Sequence, residues 1–259
     1  GNMKFGKLAI LFGTLGLGCS AFAAHLATDF SSTTNPNAGW SFGSRATITG
    51  TALTLYTSVT TVNGAWGGSM IYWRNPAVTF AGVYKNAGTT PFNGGEGTIV
   101  PAGEMMIHPQ TNVVALARYT IPVTATYRIV TEQSRFGASG GRTRFTLVAD
   151  GASIFGEDVT QTQSFQPLQT TVLNLAAGAL LDFTVDRGDG AATHDSNGIR
   201  AGVYDESLID DVPVLSITTT EGEQFTGSVA SVAASDNSYY SAFNDSESLT
   251  GTVEMQGMT

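Results

Sequence analysis

Arg144-Phe-Thr-Leu-Val-Ala-Asp-Gly-Ala-Ser-Ile-Phe155 and Leu180-Leu-Asp-Phe-Thr-Val-Asp186 decide the class of this chain. In the first, Asp150-Gly151 separates two strand-forming runs, and this dipeptide accepts the positive φ angles that a two-residue type I′ hairpin requires. In the second, Leu181, Phe183 and Val185 alternate with Asp182, Thr184 and Asp186. A period of two predicts a half-buried strand with its acidic set turned to water. Strand patterns at 113–121, 127–131, 165–175 and 198–204 extend the ladder over the whole of 105–204, with no helical segment between them. A ladder without helical crossovers excludes the common α/β enzyme folds and predicts an all-β sandwich. Its last loop, Asp186-Arg-Gly-Asp-Gly-Ala-Ala-Thr-His-Asp-Ser-Asn-Gly198, predicts a polar or metal-tied rim.

Composition agrees with a turn-rich β-protein. The 259 residues include 31 glycines, and only 13% are charged. Met3-Lys-Phe-Gly-Lys7, the apolar run Leu8 to Leu17 and Ala21-Phe-Ala23 have the order of a secretory leader, with cleavage expected after Ala23. The formal charge is −9; losing Lys4 and Lys7 with the leader takes it to −11 and leaves Lys85 as the single lysine. A surface this acidic argues against nucleic acid or an anionic membrane as partner. Cys19, the one cysteine, lies in the leader, so the mature chain has no disulfide, catalytic thiolate or cysteine-ligated zinc. Nothing after the leader reads as a transmembrane helix.

The expected organisation is a leader at 3–23, a β-sandwich domain at 24–208, an acidic linker at 209–213 and a second β-module at 214–259. That second module has few large apolar groups for a core of its own and reads as truncated. Upstream of the ladder, Thr-rich alternation at 46–59 predicts a strand with a turn at Gly50. Another strand is expected at 78–84, and Met70-Ile-Tyr-Trp73 follows the Asn63-Gly64 turn.

Two blocks together carry a family resemblance. One is Asn35-Pro-Asn-Ala-Gly-Trp-Ser-Phe-Gly43. The other comprises His108-Pro109, Ala117-Arg-Tyr-Thr-Ile-Pro122, Thr126-Tyr127, Val148-Ala-Asp-Gly151, Leu175-Ala-Ala-Gly178 and Leu181-Asp-Phe-Thr-Val-Asp186, with Gly188-Asp-Gly190 through Gly198. Over about 28–204 the chain resembles exported bacterial surface proteins of the PEP-CTERM type, whose domain is a jelly-roll sandwich like that of carbohydrate-binding modules. It departs from the pattern at Tyr119, where tryptophan is usual, and at Ala38-Gly39. The resemblance implies a secreted or surface-attached binding module, with a glycan or an extracellular-matrix component as partner. A structural or adhesive surface protein and a glycan-active enzyme are the alternatives.

Trp66, Tyr72 and Trp73 are the candidate ligand-binding residues. Flat aromatic faces bind sugar rings, and Trp66 lies among small residues with nothing bulky to bury it. Tyr72 and Trp73 are adjacent, so a strand turns one inward and one outward. Trp40 reads as core. For metal, Asp186, Asp189 and Asp195 on the Gly-rich loop, completed by Asp29, would suit a structural Ca²⁺, which takes six to eight oxygens. The spacing is not that of an EF-hand. Gly137-Ala-Ser139-Gly-Gly141 matches G-x-S-x-G, but a strand follows it where a nucleophile elbow requires a helix. Glu96, Glu104, Glu132, Glu157 and Asp158 are carboxylates in no recognisable catalytic pattern, and His25, His108 and His194 lack metal-ligand spacing.

Overall fold

The computed structural model describes residues 23–64, 68–77, 80–95, 97–137, 142–188, 196–208, 214–219, 224–228 and 251–256. Residues 3–22 of the expected leader, Trp66, Ser139, Glu96, Asp189, His194, Asp195 and the acidic linker lie outside the described residues, while Ala23, the last residue of that leader, begins the first strand.

The described strands are β1 (Ala23–His25), β2 (Trp40–Arg45), β3 (Thr54–Leu55), β4 (Ser58–Asn63), β5 (Ser69–Arg74), β6 (Gly82–Asn86), β7 (Phe92–Gly95), β8 (Thr98–Val100), β9 (Met105–His108) and β10 (Val114–Thr120). They continue as β11 (Ala125–Arg135), β12 (Thr143–Ala149), β13 (Ala152–Val159), β14 (Gln169–Leu175), β15 (Leu180–Asp186) and β16 (Asn197–Asp205), then β17 (Val214–Thr219), β18 (Gln224–Ser228) and β19 (Gly251–Gln256).

One sheet has the order β14-β11-β16-β9-β6-β5-β4, with β1 also paired to β16; the second has the order β13-β12-β15-β10-β2-β3. From β9 to β16 the chain passes repeatedly between the two sheets. Trp40, Phe42, Phe145 and Phe183 from one sheet meet Trp73, Ile107, Tyr127, Ile129 and Val203 from the other in a single buried core. The architecture is an all-β, jelly-roll-like sandwich. Among the described residues, strands β17, β18 and β19 pair with one another in a three-stranded sheet.

Local chemistry explains much of this. Asp150 and Gly151 have φ of 46° and 83° and close the β12–β13 hairpin as the dipeptide predicts. Strand β15 spans the residues read from its alternation. The Asn35 side chain clamps β2 to the segment beyond β3: Nδ2 donates to Phe42 O and Tyr56 O, and Oδ1 accepts from Phe42 N, each at 2.8 Å. Replacing Asn35 with alanine removes all three bonds; Phe42 O retains the Tyr56 N–H, while Phe42 N and Tyr56 O lose this partner. The expected loss is roughly 1–3 kcal/mol of stability, read as a lower urea midpoint with an unchanged slope.

Two expectations are corrected. The segment from Ala46 to Leu53 is not strand. Arg45 gathers its carbonyls instead: Nε donates to Thr47 O at 2.8 Å, Nη1 to Gly50 O at 2.6 Å, and Nη2 to Ile48 O. Gly50 N donates to Gly151 O, which ties the resulting flap to the β12–β13 hairpin. The second correction follows from the first. Asp182 was expected to face water, yet it is 1% exposed. Its carboxylate accepts from Arg118 Nε at 2.6 Å, Arg118 Nη2 at 2.9 Å and Arg45 Nη1 at 2.5 Å. Both sides of β15 are therefore buried.

Candidate functional site

The outer side of the larger sheet is partly roofed. Met70, Val100, Met106 and Phe136 form a second buried apolar cluster there, with Phe92 and Phe165 packed against it. The β7–β8 hairpin supplies part of this cover. One corner, built from β5, β6 and the segments flanking β6 and β9, carries the exposed Phe80.

At that corner Tyr72 on β5 lies directly opposite Tyr84 on β6. Their rings stack at 4.6 Å between centroids, with 24° between planes. Opposite Arg74 stands Gly82, and Tyr84 leans over it: a Cβ at Gly82 would come within 2.9 Å of the Tyr84 ring. The Tyr84 hydroxyl donates to Phe80 O at 2.6 Å. Burial, then the neighbouring phenols Tyr72 and Tyr56, push the Tyr84 phenol well up despite the pull of Arg74, so it stays protonated and a donor. The Arg74 guanidinium lies 5.5 Å over the Tyr72 ring, and its buried Nε has no hydrogen-bond partner. Phe80 is 60% exposed, with its ring 6.0 Å from that of His108. The corner therefore presents an exposed ring, a stacked pair of phenols and a guanidinium, groups that can stack on and orient a small polar ring.

Of the residues singled out in sequence, Tyr72 is brought to this corner. Trp73 is not: it is 5% exposed in the core, and its Nε1 donates to Ser31 O at 2.7 Å. As an open platform it is corrected, since strand alternation turns it inward exactly where Tyr72 turns outward. Trp66 lies outside the described residues. Phe80, Tyr84 and Arg74 were missed. The available signal was the pairing of Tyr72 with Tyr84 across the 75–81 connection, legible only once both strands are in register.

The proposed metal set is divided. Asp186 Oδ1 accepts from Gly188 N at 2.6 Å, and its Oδ2 is buried without a partner. Burial pushes this carboxyl up, helped by Asp158 and opposed by the Gly188 N–H and Arg144. Asp29 is elsewhere. Its Oδ2 accepts from His25 N at 2.9 Å and Trp40 Nε1 at 3.2 Å. His25 pairs with Gly202, five residues along β16 from where the chain leaves the Asp-rich loop at Asn197, a run of about 16 Å. Trp40 pairs through Tyr119 to Leu181, five residues along β15 from Asp186. Asp29 is thus corrected from loop ligand to tie of the first strand. Among the described residues no group of three or more His, Cys, Asp or Glu is placed to hold a metal ion.

Two carboxylates considered for hydrolysis, Glu104 and Glu132, both serve Arg200, at 2.6 Å and 3.3 Å, while Arg200 lies 3.9 Å over Phe165. A groove of 330 Å³ beside the β14 edge is lined by Thr124, Ala125, Thr126, Asn174, Leu175 and Ala176, which include no charge or aromatic ring. Among the described residues no helix is long and apolar enough to cross a membrane.

No family model and no curated protein matches the chain. Solved structures that do match include carbohydrate-binding modules with β-sandwich folds. CBM51 from Clostridium perfringens GH95, in complex with methyl-galactose, is 13% identical with a TM-score of 0.33, over 58% of this chain and 94% of that one. A family 35 carbohydrate binding module from Clostridium thermocellum is 10% identical with a TM-score of 0.28, over 57% and 87%. The CBM51-2 and INT domains of Clostridium perfringens ZmpB are 11% identical with a TM-score of 0.34, over 69% and 45%. Likeness at this level assigns no residue a role.

Proposed function

We propose that this is a non-catalytic glycan-binding module of an exported protein, secreted or held at the cell surface, with its site at the Tyr72–Tyr84–Arg74–Phe80 corner. One observation carries the reading: an exposed ring and a stacked tyrosine pair share this corner with the guanidinium of Arg74. Sugar rings present C–H faces to aromatic groups and hydroxyls to donors, so both halves of the corner have work to do. The leader at 3–23, the domain at 24–208 and the separate second module at 214–259 belong to the same proposal, as does a structural Ca²⁺ at the loop carrying Asp186, Asp189 and Asp195.

A glycan array probed with the full chain tests it, with neutral and acidic sugars both present. Selective binding is expected, weakened about tenfold or more by Phe80→Ala and by Tyr72→Ala while melting is little changed. A blank array from folded protein would remove the glycan reading and leave the structural or adhesive one. Binding that survives both substitutions would remove the corner as the site.

A further inference from the structure

Asp29 and Glu96 are consecutive acidic residues: 30–95 contains neither Asp nor Glu, in a chain that has 21 of them. A second such stretch is 105–131. Strands β4, β5, β6 and β9 fall inside these stretches and are neighbours at one end of the larger sheet. The fold thus gathers acid-free sequence into one continuous area of sheet. Four strands at the usual spacing of about 4.8 Å cover roughly 14 Å, more than the screening length of about 8 Å at physiological ionic strength. A ligand on this area therefore meets the local charge and not the net charge of the chain.

Three cations lie in 30–95: Arg45, Arg74 and Lys85. Two are committed within the fold. Arg45 is bound to Asp182, and Lys85 Nζ donates to Ala27 O at 2.7 Å. Arg74 makes no hydrogen bond and no ion pair among the described residues; its contact is with the Tyr72 ring. Its Nε is buried while the residue as a whole is partly exposed, so a ligand reaches the Nη end.

The groups flanking this guanidinium are uncharged or basic. Arg74 pairs with Ser58 on β4 and with Gly82 on β6, and Tyr72 pairs with Thr60 and Tyr84. Directly paired residues share a side of the sheet, so the Ser58 and Thr60 hydroxyls stand on the same outer side as the guanidinium, both partly exposed. Tyr84 stays protonated and adds no negative charge. His108, opposite Gly82 on β9, can add only positive charge.

The complementary ligand group follows. A guanidinium holds a carboxylate by charge-assisted hydrogen bonds, roughly twice as strong as those between neutral groups. Where that carboxylate belongs to a sugar, the aromatic rings take its C–H face and the hydroxyls of Ser58 and Thr60 take its polar edge. A long polyanion would run past this area onto the acidic remainder of the chain, which repels it.

We propose that the corner selects sugars that carry a carboxylate, as isolated acidic rings and not as a dense polyanion, with Arg74 setting the preference. The proposal rests on the glycan reading above and narrows it.

The test is an array on which each acidic glycan is printed beside a neutral counterpart: trigalacturonate beside its methyl ester, a disaccharide ending in glucuronic acid beside the one ending in glucose, and sialyllactose beside lactose. Probed with the full chain, the acidic member of at least one pair is expected to bind about tenfold more tightly. The pair that responds distinguishes a uronic from a sialic acid as the source of the carboxylate. Arg74→Gln is expected to bring the ratio close to one. Arg74→Lys, which keeps the charge and loses the planar fork, should leave part of it. Raising the salt should shrink the ratio for the parent. Melting of both variants should stay near that of the parent, since Arg74 holds no hydrogen-bonded partner in the fold. Equal binding within every pair, or a ratio that survives in folded Arg74→Gln, overturns this proposal and leaves the glycan reading in place. An array blank for neutral and acidic sugars alike removes both.

Discussion

Asp182→Ala is expected to destabilise the sandwich by about 3–5 kcal/mol, the cost of leaving buried charge without its partner. The carboxylate is held by Arg118 on β10 and by Arg45 at the end of β2, with side-chain exposures of 8% and 3% for the two arginines. Removing it leaves two guanidinium groups facing each other in a site closed to water. Arg45 retains the flap carbonyls, but Arg118 loses both of its hydrogen bonds to Asp182. Chemical denaturation in low and high salt checks this. The loss should persist in high salt, since buried pairs are poorly screened. Replacing all three residues with apolar groups of similar volume should recover most of the loss, because a buried ion pair is worth little against good packing. A loss below about 1 kcal/mol for the single substitution would mean that the site is wetter than its exposures indicate.

Trp40→Ala is expected to cost a similar amount, about 3–5 kcal/mol, by a different route. Trp40 is wholly buried, with its ring 5.1 Å from Tyr119 and 5.5 Å from Phe183. The cavity left behind has rigid β-sheet on both sides and cannot easily collapse. Its indole N–H also holds Asp29, so the substitution loosens the turn that follows β1. Trp40→Phe separates the two effects. It retains most of the buried area and loses the hydrogen bond, so about 1 kcal/mol of the total should be attributable to the N–H. Equal losses for both variants would show that the bond to Asp29, and not the ring, is what matters.

What the sequence made legible was local. Asp150-Gly151 is a hairpin because of backbone angles that two residues decide between them, and Leu180–Asp186 is a strand because its alternation is unbroken. Tyr72 and Trp73 were rightly separated into one outward and one inward residue by the same period of two. The failures share a cause. Alternation says which residues lie on the same side of a strand; it does not say what covers that side. The flap from Ala46 to Leu53 covers Asp182, and the β7–β8 hairpin covers much of the outer side of the larger sheet. Arg45 shows why this is hard to anticipate: a single arginine collects three carbonyls from a Thr-rich stretch that would otherwise read as strand. The ligand corner suffers similarly, since Tyr72, Tyr84, Arg74 and Phe80 become one site only through the β5–β6 register and the lean of Tyr84 over Gly82.

The pairing of β1 with β16 has a consequence in time. Ala23–His25 finds its partner only in Gly202–Tyr204, on a strand that also pairs with β9 and β11 near the middle of its sheet. At roughly 5–20 residues per second, a ribosome needs on the order of ten to forty seconds to travel from one to the other. Through that interval the first strand has nothing to pair with, and β9 and β11 present bare edges to each other and to neighbouring chains. Folding of this sandwich is therefore a late, nearly all-at-once event governed by distant contacts, slow by the standards of local topologies. A chain built this way can form local hairpins such as β4–β5 and β12–β13 early, but the larger sheet is incomplete until β16 has been made.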